Sequence, residues 1–177
     1  MKNRAAYSMK NKVAYLGMFT ALALVFSYVE ALVPLPIGVP GAKLGLANTV
    51  VVFVMYKANA RTAWVISALR VVLAGFLFGS LASLIYALCG AMASWGVMSL
   101  AKKYLPFSIF GVSVLGAVTH NIAQIAVASV VVGSSAIFGY LPILLIVGTV
   151  TGLVIGSIAQ VVLRTVKTIP FGKGSHP

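Results

Sequence analysis

Residues 13–33 read Val13-Ala14-Tyr15-Leu16-Gly17-Met18-Phe19-Thr20-Ala21-Leu22-Ala23-Leu24-Val25-Phe26-Ser27-Tyr28-Val29-Glu30-Ala31-Leu32-Val33, directly behind Lys10-Asn11-Lys12. A basic start followed by an apolar segment is also the outline of a cleaved secretory signal. This run, however, is about as long as the ~20 residues a transmembrane helix requires, and further apolar runs follow it. It reads as a first membrane helix that is retained.

Working outward, five more spans can be drawn at about 44–56, 62–79, 81–101, 107–132 and 142–163. The expected fold is therefore all-α: a polytopic membrane protein, a bundle of about six transmembrane helices. Residues 1–12 form a cytoplasmic N-terminal segment, 13–165 a single membrane domain and 166–177 a cytoplasmic tail. The chain is 61% hydrophobic and only 8% charged over 177 residues, with mean hydropathy +1.09, as one compact membrane domain should be. The second span has thirteen residues, below the ~17 of a full crossing. Before it stands Pro34-Leu35-Pro36-Ile37-Gly38-Val39-Pro40-Gly41, where three prolines forbid regular helix. That stretch is too apolar for an ordinary loop, so it is expected to dip into the outer membrane boundary and act as a lid.

Orientation follows from charge. The sequence holds thirteen Lys and Arg against one acid, Glu30. With six spans and an inner N-terminus, the inner segments hold Lys2, Arg4, Lys10, Lys12, Lys57, Arg61, Lys102, Lys103, Arg164, Lys167 and Lys173, eleven of the thirteen. Positive charge collects on the cytoplasmic side of membrane proteins, so both termini are expected there. The pI of about 10.2 then reflects anchoring beside anionic lipid, not a nucleic-acid groove. Cys89 is the only cysteine, so no disulfide can form within the chain.

Small residues recur at four-residue spacing: Gly148, Gly152 and Gly156 in span 6, and Gly75, Gly79, Ser83 and Ala87 around the junction of spans 3 and 4. In span 1, Gly17 and Ala21 lie on one stripe, and Ala23, Ser27 and Ala31 on another. Such stripes let helix backbones approach closely. Internal packing explains most of them. On span 1, Gly17, Ala21, Ala23 and Ser27 are also read as a docking face for a partner's helix.

Ionisable groups inside a bilayer are costly and mark a site by default. Arg70 lies nine residues past Arg61, ~13 Å into the membrane at helical rise. It either pairs with Glu30, pinning spans 1 and 3, or meets an anionic ligand group, with Lys43 near the same outer face. In span 5, His120 and Gln124 share a face at i, i+4, and Asn121 and Gln124 at i, i+3. Asn48 either lines the same outer cavity or caps the second span. The expected substrate-binding set is Glu30, Lys43, Asn48, Arg70, His120, Asn121 and Gln124.

What is missing narrows the chemistry. One acid leaves no carboxylate pair for glycosidic or protease chemistry or for a divalent metal. There is no G-x-x-x-x-G-K-[ST] loop for ATP and no His/Cys cluster for zinc. Neither catalytic residues nor cofactor nor metal is expected.

At Glu30, Pro34 and Pro40-Gly41-Ala42-Lys43-Leu44-Gly45-Leu46-Ala47-Asn48 the chain resembles a bacterial membrane family, the Gx transporter family, also described as heptaprenyl diphosphate synthase component I. The likeness continues through Ala68-Leu69-Arg70, Gly116-Ala117-Val118-Thr119-His120-Asn121 with Gln124, Tyr140-Leu141-Pro142 and glycines 148, 152 and 156, and covers about residues 13–165. Six short helices and a small-residue stripe on span 1 are also similar to substrate-binding S components of energy-coupling-factor transporters. That likeness implies a subunit of the bacterial cytoplasmic membrane that captures a vitamin-like solute, energised by a transmembrane coupling subunit and two ATPases. The solute would be anionic or amphipathic and related to isoprenoids, quinones or vitamins. The alternative is a non-catalytic accessory subunit of a heptaprenyl diphosphate synthase. Such synthases hold Mg²⁺ with aspartate-rich motifs, and this chain has no Asp.

Overall fold

A computed structural model describes residues 2–32 and 45–166, with side chains from residue 12 onward. Among them the fold is all-helical: α1 Lys2–Leu32, α2 Leu46–Lys57, α3 Ala60–Phe78, α4 Leu81–Tyr104, α5 Ile109–Val132, a 3₁₀ turn Ser135–Tyr140, and α6 Leu141–Thr165. Five stretches are long and apolar enough to cross a membrane: Lys12–Leu32, Ala60–Phe78, Leu81–Tyr104, Ile109–Val132 and Ser135–Thr165. This is a multi-pass membrane protein. Large apolar side chains stand exposed around the bundle, Val130 at 79%, Phe76 at 76% and Leu81 at 73%, an outer belt that only lipid or a partner would cover.

The helix starts follow their capping residues. Asn59 Oδ1 accepts from Thr62 N–H at 2.8 Å, and Ser80 and Ser83 form a reciprocal capping box at the start of α4. Gly133, in the left-handed region at φ 68°, ends α5. Two features lie outside the sequence reading. Helix α1 runs unbroken from Lys2, so the basic N-terminal segment is helical, and a 3₁₀ turn precedes α6. The proline-rich segment 34–43, with Lys43, and the tail from residue 167 lie outside the described residues.

The helices close a ring in the order α1, α3, α4, α5, α6, α2, and α2 also packs across onto α3. Helix α2 is the innermost: Val50 to Met55 are all buried, as for a helix surrounded by protein. It has twelve residues, ~18 Å at helical rise, well short of a ~30 Å hydrocarbon core. Its C-terminal end is tied to α4, where Lys102 Nζ donates to Met55 O at 2.5 Å and sits 4.7 Å over the Tyr56 ring. At the α5–α6 seam the two backbones come close. A Cβ on Gly152 would lie 2.6 Å from Val114 Cα, and one on Gly156 3.0 Å from Phe110 Cα, so the glycine stripe on α6 packs internally as expected.

Candidate functional site

A short α2 leaves room inside the bundle at the end where α1 finishes and α2 begins. There Glu30 from α1, Asn48 from α2, Arg70 from α3 and His120, Asn121 and Gln124 from α5 line one cavity of about 70 Å³. These six belong to the set of seven read from the sequence. The seventh, Lys43, lies outside the described residues. Gly45, Ala117, Thr151 and Ile155 complete the wall.

Arg70 holds the centre. Among the described residues its hydrogen bond goes not to Glu30 but to Ser27, with Nη1 donating to Oγ at 3.2 Å. Glu30 is near enough for its charge to act on the guanidinium. Among the described residues, the Arg70 Nε is buried without a hydrogen-bond partner. It is one of seven buried side-chain polar atoms without a partner among the described residues. Glu30 plays a different part. Its Oε1 accepts from Leu46 N–H at 2.5 Å, so α1 caps the first turn of α2. A carboxylate there satisfies an orphan donor and complements the helix dipole. The strut between α1 and α3 is therefore Arg70–Ser27.

That contact corrects part of the docking stripe. Ser27 is buried as the acceptor of Arg70, and its own Oγ–H donates to Ala23 O at 3.0 Å. Ala23 is fully buried in the main core. These two face inward, whereas Gly17 and Ala21 are exposed, with nothing within 4 Å of a Cβ on Gly17.

On α5 the three polar residues divide their work. Asn121 Nδ2 donates to Leu144 O at 2.8 Å across the seam opened by Gly148, which ties α5 to α6. Asn121→Ala is expected to lower stability by about 1 kcal/mol, the size of an interhelical hydrogen bond in a membrane. Thermal unfolding in detergent would measure it, and an unchanged midpoint would mean that the amide is not a strut. His120 and Gln124 face α4. A Cβ on Gly90 would lie 2.9 Å from His120 Nδ1 and Cε1 and from Gln124 Cγ, so Gly90 makes room for both. Gly45, at φ 74°, turns the chain into α2.

Sequence reasoning gave Ser27 a docking role and assigned no site role to Gly45, Gly90 or Thr151. Thr151 carried a signal, a hydroxyl in an apolar run one turn from Gly148. Gly90 carried none, because its role exists only once α4 lies on α5. The set as assembled offers a guanidinium, a carboxylate, three amides and an imidazole around a gap at the start of α2.

The family described as heptaprenyl diphosphate synthase component I matches residues 19–162, and the chain belongs to that family. No curated protein and no solved structure matches the chain.

Proposed function

We propose that this protein is a non-catalytic, membrane-embedded binding subunit that captures a small anionic solute of isoprenoid, quinone or vitamin-like kind in the cavity around Arg70. The observation that supports this reading most is the convergence of six polar side chains from four helices on one cavity, the Arg70 Nε among them having no partner among the described residues. Catalysis of diphosphate ionisation needs carboxylates to hold metal, and the chain's one acid already caps α2. The chain has no ATP-binding loop of the G-x-x-x-x-G-K-[ST] kind, so uptake would draw on a separate coupling subunit and two ATPases. The exposed stripe of Gly17 and Ala21 would be their docking face. The decisive test is anion-dependent stabilisation. Inorganic diphosphate at 100 times its Kd should add about 2.7 kcal/mol to the purified protein. No stabilisation by phosphate, diphosphate or carboxylates would reject the reading.

The family match supports a second reading, a non-catalytic accessory subunit beside a heptaprenyl diphosphate synthase. Native purification separates the two: co-elution with a coupling subunit and ATPases favours transport, and co-elution with a prenyl synthase favours the accessory role.

Both readings place the chain in a bacterial cytoplasmic membrane with its termini inside, since eleven of thirteen basic residues then lie on the inner side. On a Cys89→Ala background, a cysteine at Ser134 should react with an impermeant thiol reagent added to intact cells, and cysteines at Ser8 or Ser175 should not. The reverse pattern would overturn the topology.

A further inference from the structure

Helices α1 and α6 each pack on α2 and hardly on one another. Between them runs an apolar groove of about 380 Å³, floored by α2. The floor is closed, with Val50 at 4% and Phe53 at 5% exposure. The walls are open to the outside: Met18 and Leu22 on α1 are 53% and 42% exposed, and Ile158 on α6 is 40% exposed. On α1 the groove extends from Tyr15 to Phe26, eleven residues or ~16 Å at helical rise. That is about half of a ~30 Å hydrocarbon core, the depth of one leaflet.

Two cations stand at one end of this groove. Lys12 lies three residues before Tyr15 and seven before Phe19, so it shares their face of α1. Lys57 lies four residues after Phe53 and shares its face of α2. Glu30, near the end of α1, bonds the start of α2, so the two helices run in opposite directions. They also meet at Phe19 and Phe53, whose ring centroids are 5.7 Å apart. From that contact, the start of α1 and the end of α2 lead to the same side, which brings Lys12 and Lys57 to one mouth. Lys12 is exposed and Lys57 half-buried.

We propose that the groove holds one acyl chain of an anionic phospholipid, with the lipid phosphate set on Lys12 and Lys57. Charge and size select this occupant. The chain's one acid, Glu30, is at the other end of α2, so a second copy would bring no carboxylate side chain to the two lysines. Nor would the chain's own tail, which carries Lys167 and Lys173. A lipid phosphate supplies that charge at the membrane surface, and each ammonium offers it three donors. The groove averages about 24 Å² in section over ~16 Å, under a third of the ~80 Å² of a helix 10 Å across. One extended hydrocarbon chain fits that section. The second chain of the lipid stays in the bilayer. Bound in this way, the lipid bridges the gap between α1 and α6, and it does so apart from the cavity at Arg70.

The test uses the full-length protein in phosphatidylcholine nanodiscs. These carry a little phosphatidylglycerol with a photoreactive diazirine midway along one acyl chain, or phosphatidylcholine with the same chain. The phosphatidylglycerol label is expected on the α1 and α6 peptides that line the groove, well above the phosphatidylcholine label. Lys12→Gln with Lys57→Gln should cut that preference about 30-fold, about fivefold for each lysine. Arginine at both positions should keep it. Ile158→Trp, which fills the groove from its rim, should remove the label with both lysines in place. Arg70→Ala should leave the label where it is, and its loss there would move the lipid to the central cavity and overturn the proposal. Equal labelling by the two lipids would also overturn it, as would label equally strong at the exposed Phe76 and Val130, the pattern of ordinary surrounding lipid. Absence of label from α1 and α6 would mean that a partner helix, a second copy or the tail covers the groove, and would reject the lipid.

Discussion

Gly152→Leu is expected to leave the protein unable to form its folded bundle. A Cβ at this position would meet Val114 Cα at 2.6 Å, Val114 N at 3.0 Å and Ser113 O at 3.1 Å. All three are backbone atoms, so no rotamer change can relieve the contact, and α5 and α6 must separate. Overpacking a well-fitted interior costs about 1–3 kcal/mol where side chains can yield. Here the cost should exceed that range, a large share of the ~5–15 kcal/mol that holds a domain together. The Asn121–Leu144 bond on the same seam would be lost as well. Gly17→Leu provides the contrast, since that position is exposed with nothing within 4 Å of a Cβ. It should change monomer stability by less than about 0.5 kcal/mol, and any defect should show only when partners assemble. Equal melting midpoints for the two variants would contradict the packing described for α6.

Arg70→Ala is expected to remove anion binding altogether. Truncating one partner of a buried, hydrogen-bonded charge pair costs about 2–5 kcal/mol, or about 30-fold and upward in affinity. Arg70→Lys should recover little, because a planar, forked donor is replaced by a point charge. Ser27→Ala separates the structural and the binding role of the side chain. It removes the acceptor of Arg70 Nη1 and the α1–α3 strut but keeps the charge, so it should lower stability while anion affinity falls far less than in Arg70→Ala. Titration calorimetry on the three variants would show the order. If Arg70→Ala lowers only the melting midpoint and the affinity is untouched, Arg70 is a strut and the site lies elsewhere.

Much of this was legible from residue order, for reasons of solvent. Spans drawn at 62–79, 81–101 and 107–132 became helices Ala60–Phe78, Leu81–Tyr104 and Ile109–Val132, because apolar runs between caps such as Asn59 and Ser80 leave the backbone no alternative in lipid. Arg70, His120 and Gln124 stood out because polar groups are scarce in such runs. The span 1 stripes show where the same logic stops. In water, an inward face is apolar and an outward face polar. In a bilayer both are apolar, so spacing alone could not tell that Gly17 and Ala21 face out while Ala23 and Ser27 face in. Hydropathy likewise marks where the membrane begins and not where a helix does, so it missed the continuation of α1 back to Lys2. The role of Glu30 as cap of α2 needed the third dimension: Glu30 and Leu46 are sixteen residues apart, and nothing local joins them.

The central claim is that an anion occupies the cavity at Arg70. Native mass spectrometry of the protein purified in mild detergent, wild type beside Arg70→Ala, tests it most directly. The account predicts an acidic small molecule other than phospholipid bound to the wild type and missing from Arg70→Ala. The same such species on both proteins, or none on either after enrichment with phosphate-bearing amphiphiles, would contradict it.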